Sequence, residues 1–252
     1  MSSPQPVLRM DPSDVMLAAA RRWLEPVRAA LGPEFVAAYL TGSVLVQGFD
    51  ERHSGVNVLI VARTLDLDVL DAISQRLPEP KKPPRFDPLF LTLRQVEKSL
   101  DVFPIEWVDI QERHMLLEGN DVLGGLDVPR ANLRLQLEHD LRRTMIGLRQ
   151  SYLAHAKHPD RLEDTLRRAA SGFATLCRTL LRLQGESPPA DTPRVIERVA
   201  DVYGLQAEGL LAAHLVRYAE HHYRGAEVLA HYRKFLVEVD RLVNAIDQMR
   251  VP

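Results

Sequence analysis

The sequence predicts an α+β chain in two parts: an α/β domain with a small mixed sheet over residues 1–128, then an all-α antiparallel helical bundle over residues 129–252. Three observations predict this. Strand and helix patterns alternate up to Pro129, and beyond it the strand patterns vanish. Long apolar stripes with spacings of three and four then take over. The charge balance changes at the same place: residues 1–128 carry 13 basic and 19 acidic side chains, and the remainder 19 and 15.

Asp11-Pro12-Ser13-Asp14 supplies helix-start chemistry, a short polar side chain able to accept from the first free backbone N–H groups. Val15, Ala19, Trp23, Val27 and Leu31 follow at helical spacing, with Pro26 expected to kink or interrupt the helix and Gly32-Pro33 to end it. Phe35 to Leu40 is short, apolar and partly aromatic, which predicts a strand. Val56 to Val61, β-branched and preceded by Ser54-Gly55, is the strongest strand signal in the chain. Leu67 to Leu77 reads as a helix. The proline-dense stretch with Pro78, Pro80, Pro83, Pro84 and Pro88 reads as a semi-rigid surface loop. Two more strands are expected, Leu89 to Leu93 and Ile105 to Ile110, with a helix around Arg94 to Leu100 between them.

The second half carries three long stripes: Leu133, Leu137, Leu141, Met145, Leu148 and Tyr152; Leu162, Leu166, Ala169, Phe173, Leu176, Leu180 and Leu183; Val228, Tyr232, Phe235, Val239, Leu242, Ile246 and Met249. Each predicts an amphipathic helix that must bury one face against the others. Gly185 to Pro193 breaks the chain, and Val195 to Tyr203 and Leu210 to Ala219 predict two shorter helices.

Composition excludes several classes. A net charge of -2 offers none of the surplus cation that a nucleic-acid or anionic-membrane binder needs. One cysteine, Cys177, rules out an internal disulfide framework and a multi-cysteine zinc site. No apolar run approaches the roughly 20 residues that span a bilayer, and Met1 to Pro12 lacks the cationic-then-apolar pattern of a signal peptide. A cytoplasmic protein with no membrane partner is expected.

The segment that bears on function is Tyr39-Leu40-Thr41-Gly42-Ser43, then Gly48, then Ser54-Gly55-Val56-Asn57-Val58-Leu59-Ile60-Val61. A strand, a Gly-Ser turn, a short helix and a second apolar strand resemble the nucleotidyltransferase fold of the DNA polymerase β superfamily. The resemblance covers residues 39–61 by motif and residues 14–112 by order of elements. It implies that Gly42 and Ser43 lie at a tight turn whose backbone N–H groups and hydroxyl hold a nucleotide's phosphates. It also implies two aspartates, one residue apart, at the start of the next strand. Side chains alternate faces along a strand, so that spacing aims both carboxylates the same way. With a third carboxylate from a later strand they would hold two magnesium ions, which activate the attacking hydroxyl and steady the departing pyrophosphate. The helical half resembles the substrate-binding bundles that follow such domains, including those of aminoglycoside nucleotidyltransferases and their HEPN relatives.

The sequence departs from the family pattern where the chemistry is most demanding. In this register Gly55 and Asn57 stand where the paired aspartates belong. Glycine offers a metal nothing, and the asparagine amide is a neutral donor where charge is needed. The basic residue expected just after Gly-Ser is missing, since Val44, Leu45 and Val46 follow. Asp50 and Glu51 precede the strand and are adjacent, so they would diverge. For the third carboxylate, Glu106 on the expected strand Ile105–Ile110 fits best and Asp109 second, the two lying on opposite faces.

Other constellations are weaker. Arg149 with His155, and Arg217 with His222 beside Tyr223, match the loose arginine–histidine spacing of HEPN ribonucleases, in which histidine moves a proton and arginine holds phosphate. His214, His221, His222 and His231 crowd one region without making a helical zinc pair beside an acid on the same face. His53 and His114 fall near the expected cleft. Tyr218, Tyr223 and Tyr232 are spaced as core aromatics, and Cys177 as a buried thiol. Arg142-Arg143 and Arg167-Arg168 either line a groove between the two domains or sit on solvated helix faces. The expectation is a catalytically degenerate nucleotidyltransferase, a pseudoenzyme with no metal and no cofactor, that binds a nucleotide, a small molecule or a protein partner, a second copy included, in the cleft between its domains. The alternatives are an active enzyme using magnesium and a nucleoside triphosphate through noncanonical ligands drawn from Glu106, Asp109 or Asp50, and a HEPN-type RNA-binding or RNA-cleaving protein.

Overall fold

A computed structural model describes residues 12–45, 49, 55–78, 84–219, 221 and 223–247. The chain divides into two compact units at the Pro129–Arg130 bond.

In the first unit, helix α1 (Asp14–Leu31) starts where the Ser13 hydroxyl accepts from the Met16 N–H at 3.2 Å. It runs unbroken through Pro26 and ends at Gly32. Its buried face is Met16, Ala20, Trp23, Leu24, Val27 and Leu31. The stripe therefore sits one residue later than expected at its N-terminal end, and Val15 is 80% exposed. Strand β1 (Phe35–Thr41) pairs antiparallel with β2 (Val56–Ala62), and β2 pairs in parallel with β3 (Phe86–Thr92). Helix α2 (Leu67–Ser74), capped by Asp66, makes the crossover side of that parallel pair. Thr92 ends β3 and opens α3 (Leu93–Lys98) with a capping box to Gln95.

Two expectations need correction here. The proline-dense stretch is not loop to its end, because β3 begins at Phe86 and contains Pro88; residues 79–83 lie outside the described residues. Pro88 is tolerated because β3 is an edge strand, with no partner to lose a ladder bond on its outer side. The expected strand Ile105–Ile110 is instead helix α4 (Pro104–Glu112). The six residues, four apolar and two acidic, carry no decisive period. Pro104 at the first helical position and burial of Ile105 and Trp107 select the helix. The Trp107 indole N–H then donates to Ser99 Oγ at 2.9 Å.

The fourth strand is β4 (His114–Gly119), antiparallel to β1, and completes a mixed sheet in the order β3-β2-β1-β4. A bulge interrupts β1–β4 pairing between Ala38 and Tyr39. At its far end Gly119 has φ +95°, and a Cβ there would lie 2.2 Å from the Val36 carbonyl oxygen. Only glycine fits.

The sheet has a core on each face. Ala38, Leu40, Val56, Val58, Ile60 and Phe86 pack with the buried face of α1 and with Ile73 of α2. Ala37, Tyr39, Leu59 and Val61 pack with Val96, Trp107 and Leu123. Burial on both faces explains why β2 reads as a continuous apolar run from Val58 to Ala62.

The second unit is all helical: α5 (Arg130–His155), α6 (Pro159–Leu183), α7 (Thr192–Tyr203), α8 (Ala207–Tyr218) and α9 (Gly225–Asp247). The stripes become its core. Phe173 and Phe235 meet edge to face at 5.0 Å, and the buried Tyr232 hydroxyl donates to the Leu148 carbonyl at 2.7 Å. Gly209 lets α8 lie close against α9, where Glu238, 4% exposed, accepts from the Gln206 N–H and from Arg241. Tyr218 departs from the core role expected for it, being 64% exposed against the His214 ring.

Candidate functional site

The site is built at the end of the sheet where β1 leaves and β2 and β3 enter. β1 finishes at Thr41, and Gly42, with φ +76°, turns the chain into a single 3-10 turn over Gly42–Leu45. The turn is held from both ends. The Gly42 N–H donates to the Arg113 carbonyl at 3.0 Å, while Val44 and Leu45 are buried in the core beneath it. Ser43 between them is exposed.

Gly55 precedes β2, and the Val56 N–H donates to the Arg85 carbonyl at 2.7 Å, which sets the start of the parallel pairing with β3. Val56 and Val58 are buried while Asn57 is exposed, so positions 55 and 57 share one face. Asn57 stands level with Thr41 on one side and with Asp87 on the other, and Thr41 is level with His114. One polar residue from each strand thus forms a row across the sheet, Asp87–Asn57–Thr41–His114.

Gly55 and Gly42 close this row from the third direction. A Cβ placed on Gly55 would lie 1.7 Å from Asp87 Oδ2, so the Asp87 carboxylate fills the space in which a side chain at 55 would stand. A Cβ on Gly42 would lie 3.1 Å from Asn57 Nδ2. Gly42, Gly55, Asn57 and Asp87 therefore converge.

Asp87 is the acid that the sequence reading missed. It lies inside the stretch read as proline-rich loop. The usable signal was the apolar run around it: Phe86, Leu89, Phe90 and Leu91 start a strand three residues before Leu89. Glu106, expected in this role, is an exposed residue in the first turn of α4 and not a strand residue. Asp109, three residues later, lies on the same side of that helix, not the opposite side. It pairs with Arg113, whose carbonyl receives the Gly42 N–H. Gly48, Asp50, Glu51, His53 and Ser54 lie outside the described residues.

The donor set among the described residues does not fit a pair of magnesium ions. Two hard dications need several anionic oxygens. The residues that meet here offer one carboxylate, Asp87, one neutral amide, Asn57, and no side chain at 55. Among the described residues no group of three or more His, Cys, Asp or Glu side chains could hold a metal ion.

Behind the row, the Tyr39 hydroxyl accepts from the Val122 N–H at 2.7 Å and donates to Asp121 Oδ1 at 3.1 Å. Burial pushes its pKa up to about 12. The Leu123 N–H on Asp121 holds that carboxyl below its ordinary range. The Tyr39 ring meets the His114 imidazole edge-on at 5.7 Å, which fixes one end of the polar row against the core.

In the helical unit the expected candidates have structural roles. Arg149 pairs with Asp240 at 2.6 Å, and His155 ends α5. Arg142 bonds Glu138 and Asp247, and Arg167 bonds Glu163. Arg167 and Arg217 each donate to the other's backbone carbonyl, at 3.0 and 2.9 Å, tying α6 to α8. His222 lies outside the described residues. His214 and His231 are partly buried, and that burial holds both imidazoles below their ordinary pKa. Burial also pushes the Cys177 thiol far above the thiolate range, which makes it inert at neutral pH.

No protein-family model matches the chain, and no curated protein does. Among solved structures, the spectinomycin adenyltransferase AAD(9) from Enterococcus faecialis, determined with ATP and spectinomycin, is similar with a TM-score of 0.59 at 13% identity. The match spans 93% of this chain and 99% of that one. The likeness is one of fold: an α+β chain with a nucleotidyltransferase-like sheet domain and a helical C-terminal region.

Proposed function

We propose that this chain is a nucleotidyltransferase-fold binding protein that has lost metal-dependent transfer and keeps its sheet end as a site for a nucleotide or another small molecule. The observation that carries the reading is the meeting of Gly55 and Asn57 with one carboxylate among the described residues, Asp87. A triphosphate brought there with two dications would lack most of the negative ligands that hold those ions. The similar solved structure contains both ATP and spectinomycin, which supports a nucleotide or small molecule as the class of ligand.

The test is incubation with magnesium, labelled nucleoside triphosphates and a mixed pool of small-molecule and protein acceptors. The expected outcome is no label transfer above that of the heat-denatured protein, and robust transfer overturns the reading. One observation favours a second reading, that of an active enzyme with a reduced metal site: Asp87 is level with Asn57, where a metal-bridging acid would stand. That reading requires magnesium-dependent thermal stabilisation by a triphosphate, abolished in Asp87→Asn.

A further inference from the structure

The C-terminal end of α4 holds two segments that lie far apart in the sequence. The Arg113 carbonyl accepts from the Gly42 N–H at 3.0 Å, which fixes the start of the Gly-Ser turn. Two residues earlier, the Gln111 side-chain amide donates to the Leu126 carbonyl at 2.6 Å. Leu126 belongs to residues 120–128, the stretch that closes the first unit before the Pro129–Arg130 bond. The turn and this closing stretch are thus tied to points two residues apart on one helix end.

The chain between those points is held in one shape. The Arg113 N–H donates to the Asp109 and Ile110 carbonyls, both at 3.1 Å, and its guanidinium pairs with the Asp109 carboxylate. The His114 ring caps the same helix end, with Nδ1 at 3.0 and 2.9 Å from the Ile110 and Gln111 carbonyls. Carbonyls only accept, so this nitrogen carries the proton. The last carbonyls of the helix, which have no partner within it, are satisfied in this way. The closing stretch is braced as well. Leu123 is fully buried in the core beside Trp107, and its carbonyl accepts from the Leu126 N–H at 3.3 Å.

Resting on the reading above for the ligand's seat, we propose that α4 couples the Gly42–Ser43 turn to residues 120–128, so that firming or loosening one does the same to the other. Gln111 and Asp109 are the positioning residues. Gln111 joins the helix end to Leu126, and Asp109 keeps the Arg113 carbonyl where the Gly42 N–H meets it. Coupling of this kind is reciprocal. A ligand on the turn firms the stretch that leads to Arg130, and a disturbance of that stretch loosens the turn.

The test is native-state hydrogen exchange on the full chain without added ligand. Gln111→Met removes the donor to Leu126 and keeps the length of the side chain. It is expected to speed exchange of the Gly42 amide by about fivefold or more. In the other direction, Gly42→Ala strains a turn whose φ is +76°, and it should speed the Leu126 amide by about the same factor. Asp109→Asn leaves the turn's own sequence intact and should speed both amides, which supplies the reverse arm if Gly42→Ala does not fold. The Val58 and Ile60 amides of β2 are the reference and should stay within about twofold of the wild type. The coupling is overturned if Gln111→Met leaves Gly42 unchanged, if the effect runs in one direction only, or if the β2 amides speed up as much as Gly42. None of those results bears on label transfer. Transfer in the preceding assay overturns the broader reading and leaves the coupling standing, so the two failures are distinguishable.

Discussion

Gly55 and Asp87 form a pair in which the smallness of one residue sets the position of the other. The atom that a Cβ at 55 would strike is the far end of an exposed side chain, not backbone. Gly55→Ala should therefore be accommodated by a rotation of Asp87 and cost less than about 1 kcal/mol in chemical denaturation. Gly55→Asp is a different experiment, because it places two carboxylates at the sheet end. Each then disfavours ionisation of the other, so one folded-state pKa rises above its unfolded value. A penalty of about 1–2 kcal/mol is expected near pH 7, fading as the pH falls through the raised pKa. Added magnesium should relieve it at neutral pH if two acids here rebuild a cation site. A Gly55→Asp variant as stable as the wild type at pH 7 would mean that the carboxylates do not meet. Part of this geometry was legible in the sequence, since Gly42, Gly55 and Asn57 stand within one short segment that reads as strand, Gly-Ser turn and strand. Asp87 was not, because its place depends on a parallel pairing thirty residues away that no local pattern encodes.

At the scale of elements, the reading succeeded where period and length agreed and failed where a short apolar run served two periods. β2 was legible because six of its seven residues are aliphatic, five of them in a row, which suits a strand covered on both faces. Ile105–Ile110, with four apolar residues of six, also suits a strand but is a helix, because Pro104 starts a turn that buries Trp107 against the sheet. The strand that does line β1 is β4, whose intermediate and exposed residues give no clean alternation. What makes β4 necessary is its glycine. At Gly119 the obstruction to a side chain is backbone, Val36 O and Ala37 Cα, and φ is positive. Gly119→Ala should cost about 2–4 kcal/mol, through strain and loss of β1–β4 pairing. Hydrogen exchange should show lost protection in β1 and β4 and none in α5–α9. A loss below 1 kcal/mol would show that β1–β4 pairing can accommodate a side chain at 119. The corresponding close approach in the helical unit is Gly209, where a Cβ meets Glu238 Cγ at 2.5 Å and the Lys234 carbonyl at 3.1 Å. Gly209→Ala should cost about 1–3 kcal/mol by pushing α8 off α9.

At the scale of the whole molecule, each unit ties a core tyrosine to backbone, and that sets the alkaline limit of the protein. Tyr39 in the sheet unit has its pKa pushed up to about 12 by burial, and Tyr232 in the helical unit is raised for the same reason. A phenol whose folded pKa lies above its unfolded value of about 10 contributes stability that is fully present below pH 10 and lost as the pH climbs through the folded pKa. The acid side has the opposite sign. Asp121, held low by the Leu123 N–H, and Glu186, held low by Arg198, contribute stability that is present above the ordinary carboxylate pKa and lost as the pH falls through their depressed values. Glu186 is partly exposed, so solvent screens its share. Melting temperature against pH should therefore trace a plateau that falls at both ends, and Tyr39→Phe and Tyr232→Phe should each flatten the alkaline limb. Both substitutions should also lower the plateau by about 1 kcal/mol, since Val122 N–H and the Leu148 carbonyl each lose a buried partner. If the alkaline limb is unchanged in both variants, the tyrosines are already solvated in the native state, and the Tyr39–Asp121 anchor behind the polar row is not as closed as these hydrogen bonds require.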